Sequence, residues 1–424
     1  MSALTRDEAA LRLDHEQTAP GPNRLMRAGW YLLLVTLMAA GGIAVLQRTV
    51  NGLAATNLTS TTPWGAWIAF YIYFVGLSAG AFLLSSLIYV FGMTRFEQVG
   101  RMALLTALVS MIVALVFVLI DLGRMERALS ALVHFNWLSP LAWEMRFYLI
   151  YILLLAAEFW FAMRADLVRR AARSRLARWL SLGSRSTDTA QDHRMLRVLG
   201  TIGVPIAIFG VHGGTGTIFA IVKARGMWFS ALTPIVFIVS ALVSGTALLA
   251  LLYILRQKAL RRPVDSRMAA DLGKLLGGFL LVDLGLLLYE YLVPLLSMAP
   301  HETEVLHVMM EGPYAWSFWI LQLGIGMVAP AIILMTRLRE SVPLTALAAL
   351  MVVVGIVGVR FNIVVPPLVI PTLRGLPAGQ YFPSAVEWWS SAGIIAMGLL
   401  LFSLAADLLP VDDDAHEIGG TAHD

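Results

Sequence analysis

The chain has 424 residues, of which 58% are hydrophobic and only 14% charged, with a formal net charge of +4 and no cysteine. Soluble domains average about 45–50% apolar and about 25% charged residues, so this composition excludes an ordinary soluble protein. The lack of cysteine excludes disulfides, thiolate-bound iron–sulfur clusters and cysteine-based zinc sites within the chain.

Ten apolar stretches, each long enough to cross a bilayer, follow one another along the chain, since a membrane span needs about 20 mostly apolar residues. They cover, in order, residues 28–47, 64–92, 102–121, 144–163, 198–220, 231–255, 275–297, 314–335, 343–365 and 385–409. We predict an all-α membrane protein with about ten transmembrane helices. Its three segments are a polar N-terminal tail (1–27), an integral membrane domain (28–409) and an acidic C-terminal tail (410–424).

Most of the 31 Lys and Arg residues fall in every second gap between the spans, above all in 164–197 and 256–274. Because basic residues favour the cytoplasmic face, we predict that both termini are cytoplasmic. We expect a multi-pass protein of the bacterial inner membrane. The stretch from Arg164 to Arg178 is either an amphipathic surface helix on anionic lipid or a solvated determinant of topology.

A short motif occurs twice. Gly80-Ala81-Phe82-Leu83-Leu84 in the second span resembles Gly245-Thr246-Ala247-Leu248-Leu249 in the sixth. An offset of four spans gives both copies the same direction through the membrane, which predicts a parallel repeat of four-helix units. Chance similarity between apolar helices is the alternative.

Two carboxylates, Asp121 and Glu144, lie at predicted helix ends beside Arg124, Arg127 and Arg146. An ionisable group inside hydrocarbon costs roughly 2.5–3.5 kcal/mol on insertion scales, so it persists where it is paired or functional. These groups form either interfacial ion pairs or a polar pocket below the outer surface that exchanges protons with a ligand.

His212 is the only histidine well inside a span, and it lies in the glycine-rich stretch 210–216. It is either a hydrogen-bonded packing residue or part of a ligand site, because glycines let a flat ligand approach the backbone. A membrane b-type haem normally needs two facing histidines. His134, His301 and His307 fall in outer gaps, so we expect no haem.

The remaining acids inside the spans are few. Glu158 lies in the fourth span, and Glu387 opens the tenth. Asp283 and Glu290 are seven residues apart and therefore share one face of the seventh helix. These acids form either a proton path across the membrane or neutralising partners for arginines, with Arg360 as the obvious partner.

Together these stretches resemble the NrfD/PsrC group of polysulfide-reductase-type membrane subunits, over about residues 60–405. The matching stretches are Pro63-Trp64-Gly65, Gly76-Leu77-Ser78-Ala79-Gly80-Ala81, Asp121-Leu122-Gly123-Arg124, Phe135-Asn136, Ser139-Pro140, His212-Gly213-Gly214-Thr215-Gly216, Ala224-Arg225, Trp228, Ser240-Ala241-Leu242-Val243-Ser244-Gly245, Arg360-Phe361-Asn362, Tyr381-Phe382-Pro383-Ser384 and Glu387. The ten-span length is closest to the hydrogenase- and Dsr-complex-type members. Met125 departs from the pattern, since the family often has proline there.

The resemblance implies two four-helix bundles plus two extra helices, and a bound quinone (menaquinone or ubiquinone) near the outer face. It implies a ferredoxin-like iron–sulfur subunit and a catalytic molybdopterin-type subunit on the periplasmic side; membrane lipid is a further partner, and nucleic acid is not expected. The family's pocket residues, carried onto this chain, are Asp121, Arg124, His134, Glu144 and His212, with Arg225, Arg360 and Tyr381 as further candidates. The expected proton path consists of Glu158, Asp283, Glu290 and Glu387.

The leading hypothesis is therefore a membrane anchor subunit that passes electrons between the quinone pool and an iron–sulfur partner, together with proton translocation. In it, a quinol headgroup hydrogen-bonds to His212 and to either Asp121 or Glu144. A secondary transporter that uses the buried acids for coupling is one alternative, and a passive anchor is another. No nucleotide-binding loop of the G-x-x-x-x-G-K-[ST] type is present, which argues against an ATP-driven role.

Overall fold

The computed structural model describes residues 24–172, 174–372, 375–376 and 378–412, and ten helices among them are long and apolar enough to cross a membrane. They are α1 (Arg24–Asn51), α2 (Ala66–Tyr89), α3 (Gly100–Asp121), α4 (Pro140–Arg170), α5 (Thr189–Ala220), α6 (Thr233–Ala259), α7 (Ser266–Ser297), α8 (Ser317–Met335), α9 (Val342–Val369) and α10 (Ala385–Leu408). No strand occurs in the described part of the chain. The predicted all-α membrane fold is confirmed.

Several helices extend beyond the apolar stretches, because polar caps let them continue past the hydrophobic region. α5 begins at Thr189, where the Asp188 carboxylate accepts a hydrogen bond from the Ala190 N–H at 2.9 Å. α7 begins at Ser266, where the Asp265 carboxylate accepts from the Arg267 N–H at 2.8 Å. Such caps satisfy backbone donors that the first helical turn leaves free. Hydropathy does not mark these extra turns.

Short helices occupy several of the connections: Gly52–Ala55, Thr94–Val99, Met125–Arg127, Ser130–Val133, Arg175–Leu180, Pro300–Met310 and Arg337–Glu340. We call the end of the protein that holds the connections 52–65, 122–139, 221–232, 298–316 and 378–384 the Tyr381 end. The opposite end is the Asp407 end.

The spans form two four-helix bundles and one helix pair. α2, α3, α4 and α5 pack together as the first bundle, and α6, α7, α8 and α9 as the second bundle. α1 and α10 pack against each other and, through α10, against α3. This matches the predicted two bundles plus two extra helices. The main contact between the bundles is the packing of α2 on α6.

The α2–α6 contact depends on glycines, which let the two helix backbones approach closely. A Cβ atom at Gly80 would overlap the carbonyl oxygen of Ala241, and one at Gly245 would overlap the backbone of Gly80. The two copies of the repeated motif therefore meet at their first residues, and only glycine allows this backbone separation. Two further crossings are built in the same way, with Gly41 on Gly393 between α1 and α10, and Gly326 on Gly355 between α8 and α9.

Two helices contain π-helical stretches, Ile206–His212 in α5 and Ser317–Val328 in α8. Each lies close to a proline, Pro205 or Pro330, which lacks an N–H and disturbs the α-helical hydrogen-bond pattern. A π-helical turn holds an extra residue and is often found at functional sites. It also rotates the side chains that follow it away from the face that α-helical periodicity predicts.

Arginines tie the helices together at the Asp407 end. Arg164 and Asp192 are both buried and form a two-pronged ion pair, with Nε–Oδ1 at 2.5 Å and Nη2–Oδ2 at 3.0 Å. Arg256 binds Asp407 at 3.0 Å and Asp412 at 3.0 Å. Arg164 is therefore buried against α5. The interpretation of the stretch from Arg164 to Arg178 as one amphipathic surface helix is wrong.

Replacing Gly245 with alanine should destabilise the protein by about 1–3 kcal/mol, because the added methyl group has no space at the α2–α6 crossing. The matched control is Gly278→Ala in α7, where a Cβ atom meets nothing within 4 Å. Thermal unfolding of the purified protein in detergent measures both. Equal midpoints for the two variants would contradict the proposed role of the crossing.

Candidate functional site

A crevice of about 260 Å³ opens between α4 and α5 at the Tyr381 end. Trp137 is 71% exposed and Phe209 74% exposed, so its rim reaches the outer surface of the bundle. Gly214 leaves the α5 backbone open on one wall, whereas Gly210 packs against the Phe147 ring. The other aromatic lining residues are Trp143 and Phe147. The crevice can therefore admit a flat apolar group from the side of the helix bundle.

Glu144 is the charged residue that lines this crevice, and it is only 1% exposed. Its Oε1 accepts hydrogen bonds from Tyr148 Oη at 2.6 Å and from Thr215 Oγ1 at 2.5 Å. Tyr71 Oη lies 2.5 Å from Tyr148 Oη, and Tyr71 also hydrogen-bonds to the Glu144 carboxylate. Three hydroxyl groups therefore surround the Glu144 carboxylate, which borders the crevice.

The local sequence explains the position of Glu144. Ser139 caps α4, its side chain accepting from the Ala142 N–H, and Pro140 occupies the first turn. Pro is well tolerated there because its missing N–H would be unpaired anyway. Glu144 is thereby placed just after the first turn of α4, at the crevice.

His212 lies in the core, away from the crevice lining. Its ring is 1% exposed, and neither ring nitrogen has a hydrogen-bond partner in the described part of the chain. The ring centroid lies 5.8 Å from that of Phe237 on α6, and the Arg360 Cζ atom lies 5.0 Å from the same phenyl centroid. A Cβ atom at Gly76 would lie 3.4 Å from His212 Cε1 and 3.3 Å from Arg360 Nη2. His212 and Arg360 therefore meet between the two bundles.

Tyr381 and Glu387 connect the start of α2 with the start of α10 at the Tyr381 end. Glu387 forms a capping box with Ser384 at the start of α10, and it also accepts the Tyr381 hydroxyl proton. The Tyr381 Oη accepts from the Ala66 N–H at 2.7 Å, which joins the start of α2 to this cap. Burial, with the Glu387 carboxylate close by, raises the pKa of Tyr381, so its hydroxyl remains a donor.

Asp121 ends α3 beside Arg48, a residue of α1 that sequence reasoning did not single out. Arg48 Nε donates to the Ile120 carbonyl at 2.7 Å, and Nη2 donates to the Leu122 carbonyl. Asp121 Oδ1 is buried without a hydrogen bond to any described residue. Neither Asp121 nor Glu144 forms an ion pair with a described residue, so the predicted interfacial ion pairs are wrong at both carboxylates.

Three other candidates lie outside the crevice lining. Arg225 Nη1 donates to the Pro367 carbonyl at 2.8 Å and to the Ile370 carbonyl, and so ties the 221–232 connection to the end of α9. Arg124 and His134 are exposed on the 122–139 connection, where His134 Nδ1 lies 3.2 Å from the Ser130 carbonyl oxygen. The structure brings none of these side chains to Glu144.

The acids considered for a proton path lie in separate places. Glu158, 1% exposed on α4, belongs to the first bundle, whereas Asp283 and Glu290 belong to α7 in the second. Glu387 is engaged in the α10 cap. Arg360 is an electrostatic neighbour of Asp283 and Glu290, yet it forms no ion pair with them at hydrogen-bonding distance. The predicted partnership of Arg360 is therefore one of charge without direct contact.

Sequence reasoning missed the hydroxyl groups around Glu144. Tyr148 is four residues after Glu144 on α4, a spacing that could have identified it. Thr215 and Tyr71 come from other helices and became visible only in the fold. A second polar chain was also missed: Asn362 Nδ2 donates to Gln322 Oε1 at 2.7 Å, and Gln322 Nε2 donates to Tyr291 Oη at 2.8 Å.

The family model described as polysulphide reductase, NrfD, matches residues 54–372. A selenate reductase subunit of Mesobacillus selenatarsenatis is 40% identical over 94% of this chain and 97% of its own length. A putative dimethyl sulfoxide reductase membrane subunit of Halobacterium salinarum is 31% identical, covering 90% and 91%. The Hdr-like menaquinol oxidoreductase integral membrane subunit of Archaeoglobus fulgidus is 26% identical, covering 89% and 91%.

These matches confirm the family resemblance that the motifs indicated, and they extend over most of the membrane region. The ten spans fit relatives that are named as subunits of reductases and of a menaquinol oxidoreductase. The chain belongs to the NrfD family of polysulphide-reductase-type integral membrane proteins.

Proposed function

We propose that this chain is the quinol-oxidising membrane subunit of a multi-subunit reductase. The observation that carries the proposal is a buried carboxylate, Glu144, in an aromatic crevice that opens on the side of the bundle. Relatives named as selenate and dimethyl sulfoxide reductase subunits support the direction of electron flow, because a terminal reductase needs an electron donor. A relative named as a menaquinol oxidoreductase subunit supports quinol as that donor.

The crevice fits a quinone headgroup in size, shape and polarity. Its volume of about 260 Å³ suits a one- or two-ring headgroup, and the missing side chain at Gly214 leaves room for a flat ring. The exposed rims at Trp137 and Phe209 leave a lateral opening, through which an isoprenoid tail would remain in the lipid. Binding sites of this kind combine apolar walls with a few placed polar groups.

On oxidation, a bound quinol supplies two electrons and two protons. Glu144 takes one proton from a headgroup hydroxyl, while Tyr148 and Thr215 hold Oε1 and so keep the carboxylate in position. The second proton is released to water at the Tyr381 end, and the two electrons pass to the partner subunit. The aromatic walls exclude water. Protonation also neutralises a carboxylate in apolar surroundings, where an unpaired charge is costly.

The electrons pass to a partner subunit, because the chain has no cysteine to hold an iron–sulfur cluster. We place a ferredoxin-like iron–sulfur subunit at the Tyr381 end, close to the crevice, and a molybdopterin-type catalytic subunit beyond it. The excess of Lys and Arg at the Asp407 end supports a cytoplasmic location for that end and a periplasmic one for the Tyr381 end. The terminal substrate is contacted by the other polypeptides.

The structure favours this function over a secondary transporter. Transporters of that kind usually contain helices that unwind near the middle of the membrane. The glycine-rich stretch 210–216, which was the candidate for such a break, remains helical throughout. In this proposal Glu144 is the proton acceptor, and Arg225 and Tyr381 hold the Tyr381 end together.

The Glu144→Gln variant should lose quinol oxidation by about 10²–10⁴-fold, because the amide cannot accept the proton. Its shape and its hydrogen bonds from Tyr148 and Thr215 remain possible, so the assembled complex should keep its composition. The measurement is steady-state oxidation of a soluble quinol by the purified complex. Glu126→Gln, an exposed position on the 122–139 connection, is the control. Unimpaired turnover in Glu144→Gln would exclude Glu144 as the acceptor.

The Gly214→Leu variant should weaken binding of a quinone analogue by about 10–200-fold, because the new side chain occupies the crevice. A Cβ atom at Gly214 meets nothing closer than 3.7 Å, so the substitution fits the backbone. Titration of the analogue against the purified subunit, followed by tryptophan fluorescence, gives the Kd. Gly278→Leu on α7 is the control, and the same Kd in both variants would place the quinone elsewhere.

A further inference from the structure

We propose that the second bundle contains a proton-exchange site, separate from the crevice, formed by Asp283, Glu290 and Arg360. Water at the Tyr381 end reaches this site through a cleft that Glu290 lines. The site goes beyond quinol oxidation, and only its coupling to turnover rests on the function proposed above.

The first observation is a set of buried charged groups with unused hydrogen-bonding capacity. Asp283 is fully buried on α7, and neither of its carboxylate oxygens has a hydrogen-bond partner among the described residues. Arg360 is fully buried on α9, where Nη2 donates to Ser240 Oγ at 3.1 Å. Its Nε and Nη1 have no partner in the described part of the chain. Buried polar atoms in this state are rare and mark places where water or a ligand is bound.

The second observation is the balance of charge among Arg360, Asp283 and Glu290. Arg360 interacts electrostatically with both Asp283 and Glu290. A guanidinium remains charged in a protein, so one ionised carboxylate neutralises it. A second ionised carboxylate in the same low-dielectric region would leave an unbalanced charge, which is costly to bury. The neutral state of the site therefore holds one proton, shared between Asp283 and Glu290.

The other ionisable groups around the site do not alter this count. His212 reaches Arg360 from α5, where a second positive charge beside the guanidinium would be unfavourable. Tyr291 on α7 is engaged with Gln322 of α8. Glu302, on the helix Pro300–Met310, borders the cleft at its outer side. The facing residues of α6 are Thr233, Phe237 and Ser240, none of which is ionisable in the neutral range.

The third observation is an access route that ends at Glu290. A cleft of about 270 Å³ lies between the 221–232 connection and the end of α7, and its polar lining includes Glu290, Ser297 and Glu302. Glu290 also lines a small inner cavity of about 20 Å³ together with Asn362 and Phe237. That volume is about what one water molecule needs. Glu290 thus separates the open cleft from a water-sized space beside the core.

The geometry along α7 connects the two carboxylates. Asp283 and Glu290 are two helical turns apart on one face, about 10 Å along the axis. Asn362 Oδ1, which borders the inner cavity, is buried without a hydrogen bond from any described residue and can accept one from water. A proton that enters through the cleft therefore reaches Glu290 first, and its passage over about 10 Å to Asp283 takes a chain of several water molecules, one of them held near Asn362.

The site also has a contact with the crevice. His212 ends the π-helical stretch of α5, and the crevice residues Gly210 and Gly214 lie on either side of it in sequence. A ligand that displaces this part of α5 moves the ring that packs beside Arg360 and Phe237. This contact provides a physical route by which quinol turnover can change the proton affinity of Asp283 and Glu290.

Infrared spectroscopy of the purified full chain tests the site without any quinone. Wild type should show a protonated-carboxyl band that shifts in D₂O, and Asp283→Asn and Glu290→Gln should each lose or markedly weaken it. Glu304→Gln, an exposed position on the Pro300–Met310 helix, should leave it unchanged. An undiminished band in both site variants would overturn the proposal.

The access route is tested by the rate of the same D₂O shift. Ser297→Trp should slow it by filling the cleft, whereas Leu288→Trp, at an exposed position of α7 outside the cleft lining, should not. Equal rates would refute entry through this cleft.

Coupling is tested with the assembled complex in liposomes. Glu290→Gln should keep quinol oxidation in the presence of a protonophore but lose proton movement across the membrane. If the wild-type complex failed to oxidise quinol, the proposed function would be refuted. The proton-exchange site would still be tested by the infrared measurement, which uses no quinone. If Glu290→Gln moved protons as wild type does, coupling through this site would be refuted.

Discussion

The close crossing of α2 and α6 is the contact on which the rest of the arrangement depends. In hydrocarbon there is no hydrophobic force between helices, so packing and close backbone approach must hold them together. Gly80 and Gly245 allow that approach, and Gly76 lies one turn away on α2. At Gly76 the space freed by a missing side chain admits His212 from the first bundle and Arg360 from the second. The glycines that let the two bundles pack closely thus also bring their buried polar groups together.

The buried carboxylates of the two bundles differ in their hydrogen bonding. In the first bundle, hydroxyl groups of Tyr148 and Thr215 hold one oxygen of Glu144, so its geometry is well defined. In the second bundle, Asp283 has charge partners but no hydrogen bond from the described residues. A satisfied network fixes the orientation of a group, whereas a buried carboxylate without hydrogen bonds is costly to keep ionised and so favours binding a proton. This contrast separates the crevice from the proton-exchange site.

Several polar residues near the Tyr381 end have structural contacts that account for them. Arg48 binds the last carbonyls of α3, and Arg225 binds those at the end of α9. Tyr381 and Glu387 join the start of α2 to the start of α10. Helix ends leave backbone groups without partners, and at a membrane surface these side chains supply them. These contacts fix the relative positions of the helix ends at the Tyr381 end.

The sequence by itself determined the all-α membrane fold, the number of spans and the family. These follow from local properties, because bilayer thickness sets the length of each apolar stretch and the motifs are contiguous. It also identified Glu144, His212, Asp283 and Arg360 as groups that needed an explanation. Only the tertiary structure decided which of them meet, since that depends on helix rotation, on the π-helical stretch of α5 and on glycine contacts between distant spans. His212 and Glu144 were expected at one pocket, yet His212 lies in the core, because on α5 its side chain points toward α6 while Gly214 faces the crevice and Glu144.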